Sequence, residues 1–362
     1  MHNIRWPHLV LVAIVCLGLT GCGDADDVLR IVVIPKGLTH EFWQSIHRGA
    51  ERAAEDLTRQ GMPTRIIWDG PLRERDSLAQ IRIVDRRVST GVDGVVLAPQ
   101  HSETMLGPVQ RAVNHGVPVV IIDSGLANPE LYIKYVATDN YHGGWLAGER
   151  LLKVLADEGK KEPRLVLFRY AIGSESTEQR EKGFEDYVNE YIAKNKLDPA
   201  KVWLSRDKYA GATKDSAMKE AGPLINRLRD EIDGIFAVNE SSASGMLETL
   251  RSQGLNKKIH LMGFDTSDPL LQAIADGDID GVIAQDPYRM GYTGVWTVVH
   301  RLRGYDVNPP GSQKSLSTGE YVITKENLND KATRELFRPE LQVQRTIEPF
   351  HFTKKRTTNQ TN

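Results

Sequence analysis

Val117-Pro118-Val119-Val120-Ile121-Ile122-Asp123-Ser124 carries the fold in one line. Six successive residues are apolar, with no alternation between apolar and polar positions. Such a run reads as a strand covered on both faces. Strands of that kind belong to parallel sheets with helices packed on either side. The run then stops at an aspartate, where a ligand group would be sought in such a sheet.

The same rhythm extends in both directions. Before it, strands are predicted at Leu29–Ile34, Thr64–Trp68 and Asp93–Ala98, with helices over Glu41–Gln60, Arg73–Ser89 and Ser102–His115. After Asp139, helix Tyr141–Leu155 leads to strand Arg164–Phe168, and helix Thr177–Asn195 to strand Lys201–Leu204. Helix Thr213–Arg229 leads to strand Gly234–Val238, and helix Ala243–Ser252 to strand Ile259–Gly263. Helix Pro269–Asp276 and strand Gly281–Ala284 follow. Repeated strand–helix units argue for parallel sheets with right-handed crossovers. They are too many for one compact unit of about 150 residues, so two similar α/β lobes are expected.

Ligands in such sheets bind outside the carboxyl ends of the strands. The first strand is followed by Pro35-Lys36-Gly37-Leu38-Thr39-His40-Glu41-Phe42-Trp43. Later strands are followed by Asp123-Ser124, by a loop leading to Arg180, by Asn239-Glu240, by Asp265 and by Gln285-Asp286. Planar Asp, Asn, Gln and Arg groups can each engage two neighbouring hydroxyls. Phe42 and Trp43 offer flat apolar surfaces for the C–H faces of a sugar ring. Taken singly, each residue has a structural reading: an Asp after a strand often caps a helix, and a Phe-Trp pair often fills a core.

The N-terminus points outside the cytoplasm. Arg5 precedes an apolar stretch, Leu9–Leu19, of 11 residues. That is too short to cross a hydrocarbon layer of about 30 Å, and it reads as a removable signal. Leu19-Thr20-Gly21-Cys22 resembles the bacterial lipobox, in which the cysteine is lipidated and becomes the mature N-terminus. Asp24 to Asp27 form a short acidic linker. The chain has two cysteines, Cys16 in the signal and Cys22, so a mature protein would hold no disulfide pair. Of the 362 residues, those after Cys22 suit one large or two medium domains. The composition is 40% hydrophobic and 26% charged, which is ordinary for a globular protein. A net charge of −2 gives no field that would favour nucleic acid.

Phe42-Trp43, Val117-Pro118-Val119 leading to Asp123, Asp139-Asn140, Gly143-Gly144, Ala147-Gly148 and Gln179-Arg180-Glu181-Lys182-Gly183-Phe184 form an ordered set. Phe236-Ala237-Val238-Asn239-Glu240, Gly263-Phe264-Asp265 and Ile283-Ala284-Gln285 continue it. Together they resemble the type I periplasmic sugar-binding proteins, the ribose-binding protein group, over about residues 29–325. The resemblance implies two doubly wound parallel-sheet lobes joined by three hinge crossovers, near Thr138-Asp139, Gln285-Asp286 and Ser317-Thr318. It implies a first lobe of residues 29–138 plus 286–317 and a second of 139–285 plus 318–330. Residues 1–22 would be the signal peptide, 23–28 a linker and 331–362 a C-terminal extension. By resemblance, Phe42, Trp43, Asp123, Arg180, Asn239, Asp265 and Gln285 would line the sugar site, with Tyr209 as a candidate aromatic of the second lobe.

Two departures stand out. His40 occupies the place of an Asn ahead of the aromatic pair, and Ser124 that of an Arg after the hinge-side aspartate. Ser cannot replace the bidentate donors of an Arg. This argues against ribose itself and leaves a sugar or polyol. His40 either donates to a ligand hydroxyl or faces solvent at the helix start.

The implied function is the solute-binding component of a bacterial ABC sugar importer, monomeric and held to the membrane only through the lipid on Cys22. Its partners would be a monosaccharide or polyol and an inner-membrane permease. The alternative is a receptor subunit that presents a sugar or signal molecule to a sensor kinase or chemoreceptor. A sugar-responsive repressor would need a basic helix-turn-helix where this chain has a secretion signal. A glycosidase would need a poised carboxylate pair and a water. No catalytic residue, metal or cofactor is expected. Asp276-Gly277-Asp278-Ile279-Asp280-Gly281 begins like a calcium loop, but its twelfth position is Pro287, where a bidentate Glu is required.

Overall fold

The computed structural model describes residues 28–342 and 353–354. Cys22, the signal segment and all of the acidic linker but Val28 lie outside the described residues, as does most of 343–362. The chain opens with β1 (Leu29–Ile34), α1 (Glu41–Arg59), β2 (Thr64–Trp68), α2 (Ser77–Ser89), β3 (Gly94–Leu97), α3 (Leu106–Asn114), β4 (Val119–Ile122) and β5 (Lys134–Ala137). It continues through α4 (Asn140–Asp157), β6 (Leu165–Arg169), α5 (Glu175–Asn195), α6 (Pro199–Val202), β7 (Trp203–Tyr209), α7 (Lys214–Leu228) and β8 (Gly234–Ala237). Next come α8 (Glu240–Ser252), β9 (His260–Phe264), α9 (Asp268–Asp276), β10 (Gly281–Gln285) and α10 (Pro287–Leu302). The last elements are β11 (Tyr305–Asp306), β12 (Ser315–Ser317), β13 (Glu320–Ile323), α11 (Lys331–Phe337), α12 (Pro339–Gln342) and β14 (Thr353–Lys354).

Two six-stranded sheets result, ordered β12-β5-β4-β3-β1-β2 and β13-β10-β9-β8-β6-β7. Every pairing within them is parallel except β10 with β13. The chain changes sheet three times: after β5, through Thr138-Asp139; after β10, through Asp286; and between β12 and β13. The architecture is therefore two doubly wound α/β lobes joined by three crossovers.

The absence of alternation in the central strands has a direct structural cause. In the first sheet Val33, Val96 and Val120 face the core shared with α1 and α10. Their neighbours Val32, Val95 and Val119 face the opposite core, against α2 and α3. Successive side chains point to opposite faces of a strand, so both sets must be apolar. The second sheet repeats the plan, with Leu167, Phe236 and Met262 on the α4–α5 side and Val166, Ile235 and Leu261 on the α7–α9 side.

One helix pair in each lobe packs backbone to backbone. A Cβ added at Gly49 of α1 would collide with the Tyr288 carbonyl, and one at Gly291 of α10 with that of Ile46. Gly144 of α4 and Gly183 of α5 stand in the same relation to the Arg180 and Tyr141 carbonyls. These glycines let the inner helices approach closely beneath the crossovers.

Several expectations need correction. Lys134–Ala137 and the long helix Pro287–Leu302 were not anticipated as elements. Lys201 and Val202 lie in α6, a short helix capped by Asp198 with Pro199 in its first turn, and the strand starts only at Trp203. Proline suits a first helical turn because it lacks the N–H that would go unpaired there. The calcium-like loop is a helix end: Gly277 is left-handed, Asp278 pairs with Arg251 at 2.7 Å, and Asp280 binds His260 at 2.9 Å.

Candidate ligand-binding crevice

The carboxyl ends of both sheets face one crevice. His40, Phe42, Trp43, Asp123, Arg180, Asn239, Asp265 and Gln285 all line it. Two sequence candidates do not. Ser124 is fully buried, and its hydroxyl accepts the Ser176 N–H at 3.0 Å. Tyr209 ends β7, the outermost strand of the second sheet, where it is 38% exposed beside Arg169. Tyr209 is not among the residues lining the crevice. The second-lobe aromatic found there is Tyr170, after β6.

The first lobe contributes through the β1–α1 connection. Lys36 Nζ lies 2.8 Å from Asp123 Oδ2 and donates to Ser176 Oγ at 3.2 Å. Phe42 and Trp43 meet edge to face, with ring centroids 4.9 Å apart. Trp43 Nε1 donates to Glu74 Oε1 at 2.8 Å, which fixes the indole. Asp123 has φ +62° and Asp265 φ +71°. Aspartate visits this left-handed region more readily than most residues. Backbone strain of that sort gathers at sites where a side chain must be aimed.

The second lobe is organised around Arg180. Its guanidinium lies over the Phe264 ring at 3.7 Å. Nε donates to Asn140 Oδ1 at 2.8 Å, Nη1 donates to the Val238 carbonyl at 3.0 Å, and Nη1 lies 3.8 Å from Asp265 Oδ2. Asp265 accepts the Glu240 N–H at 3.0 Å and is also bonded by the Gln285 amide. Burial pushes the Asp265 carboxyl up, against the opposing pull of Arg180 and Gln285. Asn239 has a structural task as well: it caps α8, accepting the Ser242 N–H at 3.1 Å.

The lobes touch across the crevice. His40 Nδ1 is 3.1 Å from Glu240 Oε2, and the Tyr170 hydroxyl donates to Glu74 Oε2 at 2.6 Å. The hydrogen bond to Glu240 raises His40 to about 9, against the effect of burial. The space enclosed is about 50 Å3. The contacts of His40 with Glu240 and of Tyr170 with Glu74 hold the lobes together over the crevice. Ser174 Oγ and Gln285 Oε1 are buried in the crevice wall with no hydrogen-bond partner among the described residues. Buried polar atoms are normally paired, so these two stand out as unsatisfied.

Lys36, Glu74, Tyr170 and Glu240 also belong to the wall, with Ser174, Ser176, Thr177 and Ser241, and none of these was proposed from sequence as a site residue. Lys36, Tyr170 and Glu240 all follow strand ends, where the same rule finds them. Glu74 sits in the β2–α2 connection, and only the partners it holds, Trp43 and Tyr170, reveal it.

Comparison with known proteins agrees with this geometry. The chain is 24% identical over 297 residues to the ribose import binding protein of Haemophilus influenzae, covering 82% of this chain and 94% of that protein. It is 29% identical over 255 residues to the ribose import binding protein of Bacillus subtilis, covering 70% and 75% respectively. Among solved structures, a carbohydrate transporter solute-binding protein from Agrobacterium radiobacter, in complex with D-arabinose, superposes with a TM-score of 0.75 at 29% identity. That match covers 87% of this chain and 100% of the other. The profile of the periplasmic binding protein domain matches residues 31–306, and the chain belongs to that family.

Proposed function

We propose that this protein is the solute-binding component of a bacterial ABC sugar importer. It holds a monosaccharide or related polyol between its lobes and delivers it to an inner-membrane permease. The carrying observation is the convergence of eight sequence-selected side chains from both lobes on one crevice whose wall includes buried, unpartnered polar atoms. Relatives named for ribose import, and a similar structure holding D-arabinose, support the same reading.

The residues divide the work. Asp123 and Asp265 accept from ligand hydroxyls, and Gln285 Oε1 accepts one more. Arg180 and Lys36 donate while balancing the carboxylates, since buried charge is tolerated only when paired. Phe42 and Trp43 cover the C–H faces of the ring. Hinge motion at the three crossovers opens and closes the lobes. Closure excludes water and presents one surface formed from both lobes to the permease. No bond in the ligand changes. The signal-like segment and the lipobox-like Leu19-Thr20-Gly21-Cys22 support a cell-envelope protein anchored by lipid on Cys22, and the reading takes it as a monomer.

The test is a thermal-shift panel of monosaccharides and polyols on the mature protein. A ligand that binds only the folded state raises Tm by mass action. A shift with one or a few sugars is the expected result. Shifts with nucleotides or peptides and none with sugars would overturn the assignment.

A further inference from the structure

A second cavity, of about 320 Å3, adjoins the crevice. Phe42, Asp265 and Gln285 belong to the walls of both. Small-molecule pockets run from roughly 300 to 1,000 Å3, so this chamber is of ligand size.

The chamber is built from three parts. α1 supplies Ser45 and Arg48, the β9–α9 connection supplies Ser267, and the C-terminal segment closes it. Leu336 of α11 is buried in the second-lobe core. Gln342 of α12 reaches the first lobe, where its Oε1 accepts from Ser45 Oγ and from Arg48 Nη2, both at 3.1 Å. The segment therefore ties the lobes together over the chamber.

The lining chemistry is that of a neutral, hydroxylated ligand. Gln285 Oε1, Ser267 Oγ and Arg48 Nε are buried with no hydrogen-bond partner among the described residues. They offer an acceptor, a hydroxyl and a donor. Each belongs to a residue that lines the chamber, and a buried polar atom without a partner is costly. Charge does not select an ion: Glu41, Asp265 and Asp268 stand against Arg48 and Arg338, with Arg338 3.6 Å from Asp268. Phe42 and Leu271 add apolar surface.

We infer that the bound carbohydrate extends past the shared Asp265–Gln285 wall into this chamber, so that the preferred ligand is a glycoside or disaccharide. This rests on the sugar-binding reading above. One ring occupies the crevice. The second polar group lies under the C-terminal segment and meets Arg48, Ser267 and Gln285.

The experiment is titration calorimetry with ribose, arabinose, allose, glucose and galactose, set against their methyl glycosides and against xylobiose, cellobiose and lactose. At least one extended sugar is expected to bind tenfold or more tightly than its parent monosaccharide. Ser267→Leu, which fills the chamber, is expected to erase that preference and leave monosaccharide affinity unchanged. Arg48→Met provides the same reading without adding bulk, should the leucine disturb α9. Equal affinity for parent and extended sugars, or variants that weaken both alike, would overturn the inference and leave the sugar reading intact. Failure of every sugar, large and small, would overturn that reading and this extension with it.

Discussion

His40 Nδ1 and Glu240 Oε2 sit 3.1 Å apart at the mouth of the crevice, one at the start of α1 and the other in the first turn of α8. The pair joins the two lobes directly. Its hydrogen bond raises His40 to about 9, helped by the nearby Glu74 and Asp265 charges and opposed by burial. A raised histidine contributes its full stabilisation below its ordinary pKa of about 6.5. The contribution is lost as pH climbs through the raised value. For so partly exposed a pair, about 1 kcal/mol is reasonable. Thermal melts of the parent and His40→Gln should therefore differ at pH 6 and converge by about pH 10. His260 is also raised to about 9, by Asp280 and Glu158, but it is present in both proteins and cancels in the difference. A gap that stays constant across this range would show that the pair does not titrate as described.

Asp265 offers the sharpest test of the crevice. Asp265→Asn keeps the side-chain shape and tolerates the φ of +71°. Burial already disfavours the charge there, so the apo protein should lose little stability. Charge-assisted hydrogen bonds to ligand hydroxyls would be lost, each worth about 1.5–3 kcal/mol. The expected result is a drop in sugar affinity of about tenfold to a hundredfold with the apo Tm nearly unchanged. Undiminished affinity by calorimetry would place the ligand elsewhere.

The sheets were legible in sequence because burial on both faces leaves an unmistakable mark. Val117–Ile122 has nowhere to put a polar side chain, since Val119 and Val120 enter different cores. β5 was missed for the opposite reason. Lys134 sits in a strand, yet its ammonium donates to the Val307 and Gln313 carbonyls and to Asn308, partners 173 to 179 residues away. No local pattern announces a lysine whose donors are all satisfied at such a distance along the chain. The crevice divides along the same line. Asp123 and Asp265 follow strand ends and are found by topology. Glu74 matters only because Trp43 and Tyr170 come to it from distant parts of the chain. Tyr209 was offered by resemblance alone, with the strand expected to stop at Leu204; the structure runs β7 on to Tyr209 at the outer edge of its sheet.

Arg180 and Asp265 should prove energetically coupled. Arg180 is 3% exposed, and its removal strands the Asn140 side chain, the Val238 carbonyl and the Asp265 carboxylate. Removing one member of such a buried set costs about 3 kcal/mol or more. Arg180→Met should lower chemical-denaturation stability by that amount and abolish sugar binding. Adding Asp265→Asn to it should cost less than the two single changes summed, because the stranded carboxylate is gone. A coupling energy of about 0.5–3 kcal/mol is expected for groups in one network. Strict additivity would mean that the 3.8 Å separation carries no interaction.

Glycines in helices provide a test of the packing that is independent of any ligand. An alanine at Gly144 would drive its methyl into the Arg180 carbonyl, so α4 and α5 would have to part. Overpacking of this kind typically costs about 1–3 kcal/mol. Gly222 lies in α7, and apart from its chain neighbours a Cβ there would meet nothing within 4 Å. It precedes Pro223, however, whose ring crowds a Cβ in the helical conformation and offsets the entropic gain of about 0.5–1 kcal/mol from replacing a helical glycine. Gly144→Ala should therefore lower the denaturation midpoint by more than Gly222→Ala does. Because Arg180 begins its reach into the crevice from the helix that Gly144 contacts, Gly144→Ala should also weaken sugar binding while Gly222→Ala should not. A Gly144→Ala midpoint equal to that of the parent would refute the close helix contact on which the position of Arg180 depends.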